Sequence, residues 1–116
     1  MNAREFVDAI RRVVLKAAVS DTLAVVQNPP GRRPAQELVD VSRWYNALDA
    51  ADQAMVGRML EITARQALFG FLSVLDGSRQ VEGSGPKGYF ELRHVKDEKE
   101  DVVSGPNGEV LHELLE

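Results

Sequence analysis

Apolar residues recur at helical spacing through the first two thirds of the chain and alternate at strand spacing in the last third. Over residues 3–27, Phe6, Ile10, Val13, Val14 and Ala17 fall on one side of a helix, while Arg4, Asp8, Arg11 and Arg12 fall mostly elsewhere. Ser20 and Asp21 are the places where this helix is expected to be interrupted, since both side chains compete for backbone hydrogen bonds. The segment "NPPGRRP" cannot continue a helix and reads as a loop over Asn28–Arg33. Pro34 suits the first turn of a second helix, where its missing N–H costs nothing. That helix is expected over about Pro34–Ala47, with Leu38, Val41, Tyr45 and Leu48 on one side.

Asp49 reads as the N-cap of a third helix, about Ala50–Leu75, and Asp52 favours the positive end of its dipole. Twenty-six residues span roughly 39 Å as a helix, enough to cross a domain of this size. Arg58, Glu61 and Arg65 form its polar stripe. Further along, the polar side vanishes: in Ala67–Leu75 only Ser73 is polar, and a helix apolar all round must be covered all round. The expected cover for Leu68, Phe69 and Leu72 is a hairpin carrying Phe90, Leu92, Val102 and Val103, or else a second copy of the chain. Nine apolar residues fall short of the ~20 that a membrane span needs. Gly70 and Gly57, costly inside a helix, predict close contacts there, the first with another backbone such as the first helix.

Beyond Gly77 the pattern changes. Tyr89–Val95 alternates Phe90 and Leu92 against Glu91 and Arg93 and reads as a strand. "KDEKE" is a solvated turn and Asp101–Ser104 a second short strand. "EVLHELLE" suits a short helix capped by Asn107, with a strand as the alternative. The expectation is one α+β domain over residues 1–116: three N-terminal helices, the last of them long, packed on a small antiparallel hairpin, with a short C-terminal helix.

Composition narrows function more by exclusion than by signature. A chain of 116 residues without cysteine has no disulfide, thiolate nucleophile or zinc–thiolate site. The charged N-terminal stretch is no signal peptide, so a cytoplasmic protein is the expectation. The net charge of −4 is uneven, near +1 over residues 1–66 and −5 over 67–116. An acidic half repels phosphate backbones, which argues against nucleic acid, and suits a basic protein partner.

Candidate chemistry is sparse. Asp76 and Arg79 in "DGSR" are placed to bind a ligand at the helix end, although Gly77 as a helix cap with Asp76 and Ser78 in the turn explains the same letters. An acid at a helix C-terminus is electrostatically unfavourable, which singles out Asp76. His94 and His112 are the only histidines; with Glu113 or Asp101 they suit a metal or a proton shuttle, but without the spacing of a metal motif. "GSGPKG" lacks the phosphate-loop pattern. No nucleophile elbow, paired-carboxylate motif or cofactor fingerprint is present, so no catalytic residue, metal or cofactor is expected. Trp44 and Tyr45 point about 100° apart on a helix, one toward the core and one toward an interface. Leu68, Phe69 and Leu72 are the other interface candidates.

The segments Val41–Leu48, Phe69–Arg79, Tyr89–Val95 and Leu111–Leu115 resemble a group of small uncharacterised bacterial proteins that share a WYN-type helix, an FGFLxVLDG-type helix end and a C-terminal LHELL. That resemblance implies an α+β fold and no activity. The leading functional expectation is a non-enzymatic interaction module, homodimeric or bound to a basic partner, with an immunity- or antitoxin-like role as one version. The alternative is a small hydrolase or ligand-binding enzyme around Asp76, Arg79 and His94.

Overall fold

The computed structural model describes residues 1–116, and its architecture is α+β. The elements in order are α1 (Ala3–Ile10), a π-helical turn (Arg11–Leu15), α2 (Lys16–Gln27), α3 (Gln36–Asn46), α4 (Ala50–Leu75), β1 (Leu92–Lys96), β2 (Lys99–Ser104) and α5 (Leu111–Leu114). The chain forms two compact units: one comprises Met1–Val13 and Gln66–Glu116, the other Val14–Arg65. No helix is long and apolar enough to cross a membrane.

The discontinuous unit holds most of the buried apolar residues. α1 starts with a capping box, in which Asn2 Oδ1 accepts the Glu5 N–H at 2.9 Å and Glu5 Oε2 accepts the Asn2 N–H at 3.4 Å. Ala3 and Val7 of α1, Leu72 of α4, Val103 of β2, and Leu111 and Leu115 at the C-terminus form one buried cluster. Phe6, Leu68, Phe69, Leu75, Leu92 and Leu114 pack around it. Each large aliphatic side chain so buried contributes about 1.5–3 kcal/mol. The cover over Leu68, Phe69 and Leu72 thus comes from α1 and α5 as much as from the hairpin. It is not complete, since Phe71 stays 60% exposed.

Strands β1 and β2 pair antiparallel, with Lys96 opposite Lys99. The two-residue loop between them, Asp97–Glu98, has φ of 51° and 64°, the left-handed conformation that a tight hairpin requires to match strand twist. A bulge sets Leu92 opposite Ser104 but Arg93 opposite Val102, so Val103 is the extra residue. Both Val103 and Ser104 are buried as a result, while Val102 is exposed. Of the two hairpin valines expected to cover the long helix, only Val103 is in the core. Phe90 lies before the strand and is exposed, so of the expected alternating pair only Leu92 packs inward.

The second unit consists of α2, α3 and the first part of α4. Asn46 Nδ2 donates to the Gln27 carbonyl at 3.1 Å, and Gln53 Nε2 to the Tyr45 carbonyl at 3.1 Å, which ties the three helices at their ends. Asp49 caps α4 as expected, its Oδ1 accepting the Asp52 N–H at 2.8 Å. Pro34 lies outside α3: the N-cap is Ala35, at φ −55° and ψ 139° and without a side-chain cap. The N-terminal helix is disturbed at Arg11–Leu15 and not at Ser20 or Asp21; Ser20 bonds back to the Ala17 carbonyl and stays within α2. A π turn holds more residues than an α turn, so the inward position slips along the sequence. Leu15 is buried there, and the expected inward residues Val13 and Val14 are exposed.

Candidate functional site

The polar constellation lies in the discontinuous unit and starts from how α4 stops. Gly77, at φ +85°, reverses the chain, and its N–H reaches the Val74 carbonyl at 3.3 Å. The outer bond of this C-terminal cap comes one residue late, from Arg79 N–H to the Ser73 carbonyl at 3.0 Å. The skipped Ser78 N–H is taken by Asp76 Oδ1 at 3.0 Å.

The other oxygen of Asp76 reaches α5. Oδ2 accepts the His112 backbone N–H at 3.1 Å and lies 2.7 Å from His112 Nδ1. α5 has no side-chain cap of its own, because its N-cap residue is Val110. Asp76 supplies that cap from a distant part of the chain, and the expected cap Asn107 does not. At the far end of α5, Arg11 Nη2 donates to the carbonyls of Leu114 at 2.8 Å and Leu115 at 2.7 Å. A single helical turn is thus held by an acid at its amide end and a base at its carbonyl end, each sign matching the backbone dipole. The Phe69 and His112 rings meet edge to face, at a centroid distance of 5.0 Å and an interplanar angle of 76°.

The Asp76 side chain is 2% exposed and that of His112 18%. Burial pushes the Asp76 carboxyl up. Hydrogen bonds from the Ser78 hydroxyl, the His112 amide and ring, and the Ser78 amide together outweigh it, and the group lies below the ordinary aspartate value.

Of the three ligand candidates, the hydrogen bonds and ion pairs join none to another. Asp76 is committed to Ser78 and His112. Arg79 lies across Gly70: a Cβ built there would stand 2.5 Å from Arg79 Nη1. Gly70 thus makes room for a guanidinium and not for another backbone. His94 sits half-buried on β1, in register with Asp101 of β2. No group of three or more His, Asp or Glu side chains is placed to hold a metal ion. The partner of Asp76 was hidden because His112 is remote in sequence; the one signal was an acid at the wrong end of α4's dipole.

A second arrangement belongs to the other unit. Thr22, Leu23, Val26, Val41, Tyr45 and Leu60 are among the residues lining an apolar cleft of about 310 Å³. Trp44 and Met59 also line it, at 56% and 66% exposure. Tyr45, by contrast, is 4% exposed, so the two neighbouring aromatics divide between core and surface as their angular separation requires. Gly57 is in ordinary contact with Leu23. The remaining interface candidates, Leu68, Phe69 and Leu72, pack in the buried cluster of the discontinuous unit.

Comparison with known proteins yields no match: no protein-family model, curated protein or solved structure aligns with this chain.

Proposed function

We propose that the protein is a non-enzymatic interaction module whose contact surface is the apolar cleft of the Val14–Arg65 unit. The observation that carries this reading is the exposure of Trp44 and Met59 at the rim of a cleft lined by aliphatic side chains. A tryptophan and a methionine exposed beside an apolar cleft match the residue types enriched at protein interfaces. An immunity- or antitoxin-like role against a basic partner would use the other unit instead, which carries twelve acidic and eight basic side chains.

The test is photo-crosslinking from position 44 in the cells that make the protein, repeated in a Met59→Glu background. Protein adducts that form at position 44 and vanish with the substitution support the reading. An absence of any protein adduct removes it.

A second reading has one observation in its favour. With Asp76 ionised, its Oδ2 can only accept, so His112 Nδ1 donates, and the ring's Nε2 makes no hydrogen bond. That is the orienting half of a hydrolytic triad. No hydroxyl hydrogen-bonds to Nε2, and Asp76 is fully engaged in capping α5, which favours the structural role. A His112→Gln variant that loses a hydrolytic activity while keeping its unfolding midpoint would reverse that preference.

A further inference from the structure

Resting on the interaction-module reading, we infer that the occupant of the cleft face is a second copy of the same chain, paired about a two-fold axis beside Met59 and Leu60.

The first argument is area. Met55, Met59 and Ile62 stand at i, i+4 and i+7 along α4, and each is more than half exposed, as is Trp44, which lines the cleft with Met59. Taking about 200 Å² for a large side chain, these four leave roughly 500 Å² of apolar surface in water. That is near the upper end of the largest patch on an ordinary monomer. It is also the size of the apolar part of a homodimer interface that buries about 800 Å² per partner.

The second argument is the unit's own packing. Leu15, Ser42 and Tyr45 are its only buried residues. Three helices with so little buried side chain leave their apolar faces unpaired, and a second copy would supply the missing layer.

The third argument is charge. Residues 14–65 carry six basic and six acidic side chains, while the whole net charge of −4 resides in the other unit. Two copies meeting through the neutral unit bring no net charge into their interface, whereas a basic partner would be drawn to the acidic one. Along the flank of the apolar stripe the signs run Arg58, Glu61, Arg65, all exposed. In an antiparallel pairing of two α4 helices about the stated axis, Glu61 of one copy stands level with Arg58 of the other. A two-fold interface has to be self-complementary, and this flank meets that condition.

The experiment is sedimentation of the full chain over a concentration series reaching about 100 μM, with the emission of its single tryptophan recorded in parallel. The expected result is a species of twice the 12.8 kDa chain mass, with Trp44 emission moving to shorter wavelength as it forms. Met59→Glu and, independently, Ile62→Glu should weaken the dimer by 100-fold or more, with unchanged helical circular dichroism. A monomer throughout the series overturns the inference, as does a dimer that tolerates both substitutions. In the crosslinking experiment above, adducts at position 44 to some other protein and none to the chain itself would overturn the self-pairing while sustaining the interaction module; no adducts at all would remove both.

Discussion

Oδ2 of Asp76 receives two hydrogen bonds from one residue, His112: the backbone N–H at 3.1 Å and the ring Nδ1 at 2.7 Å. One carboxylate therefore caps α5 and orients the ring of its histidine, and it does so from the residue that follows α4, 36 positions earlier in the chain. The "VLDG" stretch at the end of α4 and the "LHELL" stretch that contains α5 meet at this contact.

Removing the carboxylate leaves two partly buried donors without an acceptor, and an orphaned donor costs about 1–3 kcal/mol. Asp76→Ala is expected to lower stability by about 2 kcal/mol or more in urea unfolding. Asp76→Asn, which keeps one carbonyl oxygen, should lose about half as much. An alanine variant within ~0.5 kcal/mol of the parent, the range of ordinary surface substitutions, would show that the cap is not structural.

The same group sets an acid limb. Its folded-state pKa lies below the unfolded value, so its contribution is fully present above the unfolded value of about 3.9. It is lost as pH falls from there through the folded value, because the unfolded chain takes up the proton first. Asp101, held low by a hydrogen bond and charge attraction from the Met1 amino group, adds to the same limb. Stability should therefore be flat with respect to Asp76 near neutrality and fall below about pH 4. In Asp76→Asn the fall should be shallower, not merely displaced; equal slopes in the two proteins would assign the limb to other carboxylates.

Arg11 is the counterpart at the other end of α5. Its two bonds to the Leu114 and Leu115 carbonyls involve a charged donor, for which about 1.5–3 kcal/mol per bond is typical in well-ordered sites. The side chain is partly exposed and also pairs with Asp8 at 2.9 Å, so a smaller loss, about 1–2 kcal/mol, is expected for Arg11→Met. The loss should be local. Amide exchange at Leu115, whose N–H reaches the His112 carbonyl at 3.4 Å, should accelerate more than exchange in α3. Uniform acceleration across both units would contradict a clamp confined to α5.

Ser104 presents the opposite case. The bulge in β2 turns it fully inward, and its hydroxyl is the one buried side-chain polar atom without a hydrogen-bond partner. Ser104→Ala removes an unsatisfied group with little change in volume, so it should stabilise the protein by up to about 1 kcal/mol. A destabilised alanine variant would mean that the hydroxyl has a partner in solution.

What the chain disclosed in advance follows from the range of the interaction concerned. The α4 boundaries, the Asp49 cap and the Gly77 stop were legible because each is set within a few residues. The split between Trp44 and Tyr45 was legible for the same reason, as a matter of angle along one helix. The π turn was not: the two valines of "RRVVL" weaken an α-helix only slightly and carry no mark of a π turn, and the extra residue moves burial from Val14 to Leu15. The bulge at Val103 similarly defeats an alternation rule that assumes an unbroken ladder. The Asp76–His112–Arg11 clamp depends on three segments converging, which no local pattern encodes; Asp76 stood out only as a charge misplaced on its own helix.

Gly70 yields the sharpest double test. Mid-helix glycine costs about 1 kcal/mol against alanine, so Gly70→Ala alone ought to stabilise α4. The new Cβ, however, would stand 2.5 Å from Arg79 Nη1, and something must move. The atom concerned is the far end of a flexible side chain, so the guanidinium can swing away at the expense of its packing on the helix. The gain in the parent protein is therefore expected to be only a few tenths of a kcal/mol. In an Arg79→Ala background the obstacle is gone, and the same substitution should deliver its full ~1 kcal/mol. The coupling between the two sites, read from the four unfolding free energies, should be about 0.5 kcal/mol or more. Additive effects would place Arg79 away from Gly70 in solution and leave the glycine with no packing role.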